Sequence, residues 1–141
     1  MLNDELSRLD RLEQSSKSFR DLYEIMVETD LNKAAALWID DEGQECSRSF
    51  QQFDGDVRAA AALFRRYIGD ENEGRFVALS MENRYQWPVA FWGLLMAGYK
   101  PLLLDVNHKA PMVKRFLATS GAVAIVGKAG LSIPALQIAA E

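Results

Sequence analysis

The stretch Met96-Ala-Gly-Tyr-Lys-Pro-Leu-Leu-Leu-Asp-Val-Asn-His108 decides how the rest of the chain is read. An apolar run with helical spacing stops at Gly98, Lys100 and Pro101 follow, and three leucines lead into Asp105. A glycine that closes a helix, followed at once by a short apolar run, predicts a helix–turn–strand unit, with the strand over Leu102–Asp105 buried in a parallel sheet. The carboxyl ends of such strands are where open α/β sheets bind ligands. Asp105, with Asn107 and His108 behind it, is therefore the candidate for ligand contact.

Upstream, Phe76–Met81 is a second near-continuous apolar run, predicting a strand covered on both faces. Asn83 is placed to cap the helix that runs to Ala97, with Gln86 three residues on as its box partner. Pro88, lacking an amide donor, belongs in its first turn. Downstream, Pro111 suits the start of a helix carrying Met112, Val113, Phe116 and Leu117, which Ser120-Gly121 ends. Ala122–Val126 predicts a further strand.

The second half thus alternates helix and strand, which implies an α/β fold with a mostly parallel sheet, right-handed crossovers and helices on both faces. Before it, Phe53, Val57, Ala60, Ala61, Phe64, Tyr67 and Ile68 have the spacing of one long helix. Ala35–Ile39 and Gln44–Phe50, joined through Asp40-Asp-Glu-Gly43, predict a β-hairpin. Ser18 caps a helix over Phe19–Val27, and leucines 2, 6, 9 and 12 mark a short amphipathic arm over residues 1–17. The main unit is then residues 18–141.

Composition narrows the function. The 141 residues are 49% apolar and 26% charged, with a formal charge of -4. That is an ordinary globular profile with no general nucleic-acid-binding character. Cys46 is the only cysteine and His108 the only histidine. Disulfides and zinc clusters are excluded, and a reducing, cytoplasmic setting fits. The charged N-terminus has no signal-peptide core, and the apolar run Trp87–Leu104 is broken by Gly98, Lys100 and Pro101, short of the about 20 residues a membrane span needs.

Motifs for chemistry are sparse. Gly121 to Lys128 has five residues between its glycines and Ala129 after the lysine, so it is not a P-loop. There is no G-x-G-x-x-G, no Ser-His-Asp set, and no metal cluster. Asp40 and Asp41 flank a turn glycine, where acidic residues are usually solvated turn formers. Cys46 has no partner base and reads as a bystander. A receiver-like site would use Asp105 with Glu82 and Lys128, but the acidic pair such a site needs is missing from the strand ending at Glu82. No catalytic residue is assigned.

The order of these segments resembles the N-terminal part of the AMP-forming adenylating enzymes, the superfamily of acyl-CoA synthetases, fatty acyl-AMP ligases and adenylation domains. Leu37-Trp-Ile-Asp-Asp-Glu-Gly43 and Ser49–Phe53 are similar to the family's early hairpin. Ala59–Phe64 resembles its "A-x-x-L" helix, and Glu73–Asn83 its "G-D-x-V-a-l-x-x-x-N-s" strand. Leu95-Met-Ala-Gly98 with the strand after it is similar to "L-K-A-G-a-x-x-v-P-l-d", and Phe116–Val126 to "l-x-x-s-x-a-x-x-i-i". Two positions depart from the pattern. The family's proline falls at Leu103 here, with proline at Pro101 instead, and Glu73 stands for an aspartate.

The resemblance implies a ligase that activates a carboxylic acid, an acyl or fatty acid, with ATP and magnesium as acyl-AMP. The acyl group then passes to coenzyme A or a carrier-protein pantetheine. It also implies what this sequence lacks: the Ser/Thr/Gly-rich loop ending in Pro-Lys, the later aromatic-Gly-x-Thr-Glu segment, the ribose aspartate and the lysine of the C-terminal lid. The chain is thus expected to be an inert piece without cofactor or metal of its own. Its partner would be the remainder of the ligase, and it would self-associate through an exposed apolar face. The alternative is a stand-alone flavodoxin-like or receiver-like binding module using the strand edge at Asp105.

Overall fold

A computed structural model describes residues 10, 13–14, 18–28, 31–127 and 130–132. The arm expected over residues 1–17 lies outside these, apart from positions 10, 13 and 14. The chain divides into two compact units, residues 1–56 and 57–141.

In the first unit, helix α1 spans Phe19–Val27, and Ser18 caps it as expected, its Oγ accepting from the Asp21 amide at 3.2 Å. Tyr23, fully buried, donates its hydroxyl to Asp54 at 2.8 Å and packs its ring 6.5 Å from Phe53. Strands β1 (Ala34–Ile39) and β2 (Glu45–Ser49) form the antiparallel hairpin the sequence predicts. Asp40 builds its turn, with Oδ1 accepting from the Glu42 and Gln44 amides at 2.9 and 2.8 Å. Gly43 supplies the positive φ of 79°.

Helix α2 (Phe50–Ile68) starts three residues before the first apolar position of the expected helix. Ser49 and Gln52 form a capping box: the Gln52 amide donates to Ser49 Oγ at 3.2 Å, and the Ser49 amide to Gln52 Oε1 at 2.9 Å. That satisfies two donors reciprocally and moves Phe50 from strand to helix.

The second unit is organised by β3 (Phe76–Ser80), whose Val77, Ala78 and Leu79 are fully buried. Around it lie α3 (Gln86–Ala97), β4 (Lys100–Leu103), α4 (Ala110–Ser120), β5 (Ile125–Gly127) and β6 (Gly130–Ser132). The sheet order is β4-β3-β5-β6, with β4 and β5 parallel to β3 and β6 antiparallel to β5. Successive β3 side chains point to opposite faces. Val77 and Leu79 meet Phe64, Ile68, Leu94 and Ala97 of α2 and α3. Ala78 meets Leu117 of α4, together with Leu104 and Ala122. Each large aliphatic side chain buried there contributes about 1.5–3 kcal/mol.

Three boundaries differ from the sequence expectation. First, α3 begins at Gln86, so Asn83 does not cap it; its N-terminal neighbour Tyr85 makes no side-chain cap bond, and Pro88 falls in the first turn, where its missing donor costs nothing. Second, β4 starts at Lys100 and ends before Asp105. Its Lys100 amide donates to the Arg75 carbonyl at 2.9 Å, and the Leu104 amide to Leu79 at 3.0 Å. By alternation, positions 101 and 103 turn their backbone away from β3, so Pro101 sits on an edge strand where no ladder donor is lost. The two-residue shift of proline from the family's position keeps that parity. Third, the β5 ladder begins at Ile125, although Val123 already donates to Phe76 and Ala124 accepts from Ala78, both at 2.9 Å.

Glycine does specific work at Gly98, which closes α3 in the left-handed region (φ 94°, ψ 11°) while its amide donates to Leu94 and Leu95. A Cβ there would lie 3.0 Å from Glu73 Cγ. Gly98→Ala is expected to destabilise the protein by about 1–2 kcal/mol, from the backbone preference plus this contact. Equilibrium urea unfolding of the two proteins measures it; an unchanged midpoint overturns this account of the cap.

Candidate functional site

Strand β3 feeds α3 on the Val77 and Leu79 face, and its neighbour β4 feeds α4 on the Ala78 face. Two adjacent parallel strands thus send their following segments to opposite faces. The order β4-β3-β5 reverses between β3 and β5, and it is at such a reversal, outside the carboxyl ends of the strands, that open α/β sheets form a ligand crevice. The segment 81–85 after β3 borders that crevice, and 104–109 follows the carboxyl end of β4, on the other side of β3.

On the β4 side, Asp105 is exposed and its Oδ1 accepts from the Asn107 amide at 2.8 Å, while its carbonyl accepts from the His108 amide at 3.1 Å. This Asx-turn braces the loop, a common role for an aspartate in a turn. Asn107 is exposed and its side chain faces solvent-accessible space. His108 is half-buried, its ring 5.4 Å from Phe116, and its Nδ1 is buried with no hydrogen-bond partner. The three candidates therefore share one turn, and His108 alone holds an unmet hydrogen-bonding atom.

On the β3 side, a cavity of about 270 Å³ is lined by Met81, Glu82, Arg84 and Gln86. Glu82 Oε2 accepts from Arg84 Nε at 3.0 Å, and both side chains are largely exposed, so the pair contributes well under 1 kcal/mol. Sequence reasoning missed Arg84. No local signal set it apart from any other exposed arginine. Of the receiver-like set, Asp105 and Glu82 are occupied as described, and Lys128 lies outside the described residues. Among the described residues, no group of three His, Cys, Asp or Glu side chains could hold a metal ion. No helix among them is long and apolar enough to cross a membrane.

Comparison with known proteins gives this edge its context. Residues 25–140 match the family described as AMP-binding enzyme, and the chain belongs to that family. Long-chain fatty acid transport protein 1 of Bos taurus is 29% identical over 133 residues, covering 94% of this chain and 20% of the relative. The chain thus spans about a fifth of that relative's length.

Three solved structures share its fold. The N-terminal subdomain of NpsA from Klebsiella oxytoca, in complex with 3-hydroxybenzoyl-AMSN, superposes with a TM-score of 0.69 at 14% identity, over 79% of this chain and 26% of that one. A fatty acid AMP ligase from Legionella pneumophila gives 0.64 at 20% identity, over 78% and 19%. A benzoate CoA ligase from Burkholderia xenovorans gives 0.63 at 25%, over 78% and 21%. The hairpin, helices and parallel three-strand core are those of the N-terminal adenylate-forming subdomain, as the sequence resemblance implied.

Cys46 lies apart, in β2. Its partial burial pushes the thiol pKa up, and the Asp40 carboxylate, with Oδ2 3.8 Å from Sγ, pushes it further. A raised thiol pKa leaves less thiolate at neutral pH, the reverse of what a nucleophile needs. Iodoacetamide labelling of Cys46 should therefore be slower than that of free cysteine at pH 8, and Asp40→Asn should speed it. A wild-type rate above that of free cysteine contradicts the bystander assignment.

Proposed function

We propose that the chain is the N-terminal part of an AMP-forming acid–thiol ligase. The parent activates a carboxylic acid with ATP as acyl-AMP, releases pyrophosphate, and passes the acyl group to coenzyme A or a carrier-protein thiol. The observation that carries the reading is the family match across residues 25–140. The bovine relative, by its name a long-chain fatty acid transport protein, favours a fatty acid as the substrate class.

ATP and magnesium do not fit the residues described. Holding a triphosphate takes backbone amides, a cation and metal-ligating carboxylates aimed at one place. At the carboxyl edge of the sheet, Asp105 Oδ1 is engaged by the loop amide of Asn107, and Glu82 is engaged by Arg84. The sequence contains no Ser/Thr/Gly-rich loop ending in Pro-Lys. No catalytic step is assigned to this chain, and on this reading it is inert alone. The rest of the ligase, with its lid, is its partner, and ATP, magnesium and the thiol bind there. Asp105, Asn107 and His108 contribute at most the scaffold edge that faces the ligand.

The coding sequence downstream of Glu141 in the source tests the first half. A continuing frame that reaches a Ser/Thr/Gly-rich loop ending in Pro-Lys supports the reading, and a stop codon with no such loop nearby would falsify it. The second half is tested by acid-dependent ATP–pyrophosphate exchange. Residues 1–141 alone should give none with any fatty acid, and the complete reading frame should give a clear signal. Exchange by the 141-residue chain alone contradicts the assignment. In the complete enzyme, Asn107→Ala and His108→Ala separate ligand contact from scaffold through KM for the acid.

A further inference from the structure

Charge is divided very unevenly along this chain. Residues 83–140 contain six lysines and arginines and one acid, Asp105, for a net +5, whereas residues 1–82 contain ten against eighteen acids, a net -8. Such asymmetry between segments points to an anionic partner for the basic part.

The structure gathers part of that charge on one helix. In α4, Leu117 is buried and Val113 half-buried against the sheet, while Lys109 at its N-cap, Lys114 and Arg115 are exposed. The helix itself has no acidic residue. Between Arg115 and Lys109 on the helix surface lie Met112 and Phe116, one turn apart and 48% and 38% exposed. Val106, 45% exposed, stands in the turn just before the helix. At the other end Arg75 donates to the Gly121 carbonyl at 3.1 Å, placing another cation at the α4 C-terminus.

We infer that the outward face of α4 docks on an anionic lipid surface. The recognising chemistry is headgroup phosphate and carboxylate for Lys109 and Arg115, which flank the apolar pair, with Met112, Phe116 and Val106 entering the acyl boundary. A basic helix with apolar side chains between its cations is the pattern of interfacial rather than spanning contact. Each cation near an anionic leaflet and each inserted apolar side chain adds a modest increment, so binding is reversible and salt-sensitive. Cations beside an exposed apolar pair complement an anionic lipid boundary, where headgroup charge lies next to acyl chains. Docking there also brings the Asp105–His108 turn, which leads directly into α4, to the membrane surface.

The inference goes beyond the ligase reading and does not depend on it, since it uses only charge and exposure. Vesicle flotation of the 141-residue chain tests it, comparing phosphatidylcholine alone with phosphatidylcholine–phosphatidylserine at low and high salt. Expected is partitioning onto the serine-containing vesicles at least about tenfold above the neutral ones, lost in high salt. Lys109→Glu with Arg115→Glu should lower it by about tenfold or more, with the circular dichroism spectrum unchanged. Phe116→Ser should lower it on the same vesicles by a smaller, salt-independent factor. Equal binding to neutral vesicles overturns the inference, as does binding that survives the charge reversal. So does a chain that ignores both vesicle types and dimerises through Phe116 in sedimentation. None of these outcomes touches the exchange assay, so the two readings fail separately.

Discussion

The second unit depends on the burial of β3 on both faces. Val77, Ala78 and Leu79 have no exposure, and their side chains alternate. One strand therefore requires two layers of cover, with α2 and α3 on one side and α4 on the other. Because β4 and β5 flank β3 and run parallel to it, each connection must cross the sheet by a helix. The two crossovers go to opposite faces, and the switch point follows from that geometry without reference to any ligand. A polar replacement at Ala78 would disturb α4, whereas one at Leu79 would disturb α2 and α3. The place where the site can be and the packing that stabilises the fold thus have one cause.

Much of this was legible because the signals were local. Gly98 and Gly121 close their helices in the left-handed region, where only glycine is at ease, and both were readable as stops. The apolar run Phe76–Met81 announced double cover. What escaped reading was set by partners distant in sequence. β4 extends back through Pro101 because Arg75 and Leu79 offer acceptors to Lys100 and Leu104, and the edge position excuses the proline. The start of α3 fell later than Asn83 suggested, since Arg84 bonds back to Glu82 and the Trp87 amide donates to Arg84. The Ser49–Gln52 box was a local signal, but the strand pattern running into Phe50 concealed it.

The candidate site was legible only in outline. Asp105 could be placed at a strand end from the sequence, and its turn-bracing bond is the ordinary behaviour of an aspartate there. Arg84 could not be distinguished from any exposed arginine until the crossover directions put its loop beside the switch point. His108 illustrates the same limit. Its Nδ1 is sequestered because Phe116, eight residues on and nearly two turns into α4, lies against the ring. No spacing rule would have paired them.

The parity of proline on β4 sets how its edge can be covered. An edge strand whose outward positions are Pro101 and Leu103 offers a further strand only one amide donor over its length, which discourages sheet extension at that side. What covers this side must then recognise side chains rather than backbone. Leu103, exposed at that edge, is the apolar side chain on offer there, while Met112, Phe116 and the cations beside them lie on α4, over the Ala78 face of the sheet. A helix face that carries positive charge in a chain that is negative overall, and exposes few apolar groups, is suited to a soft anionic boundary.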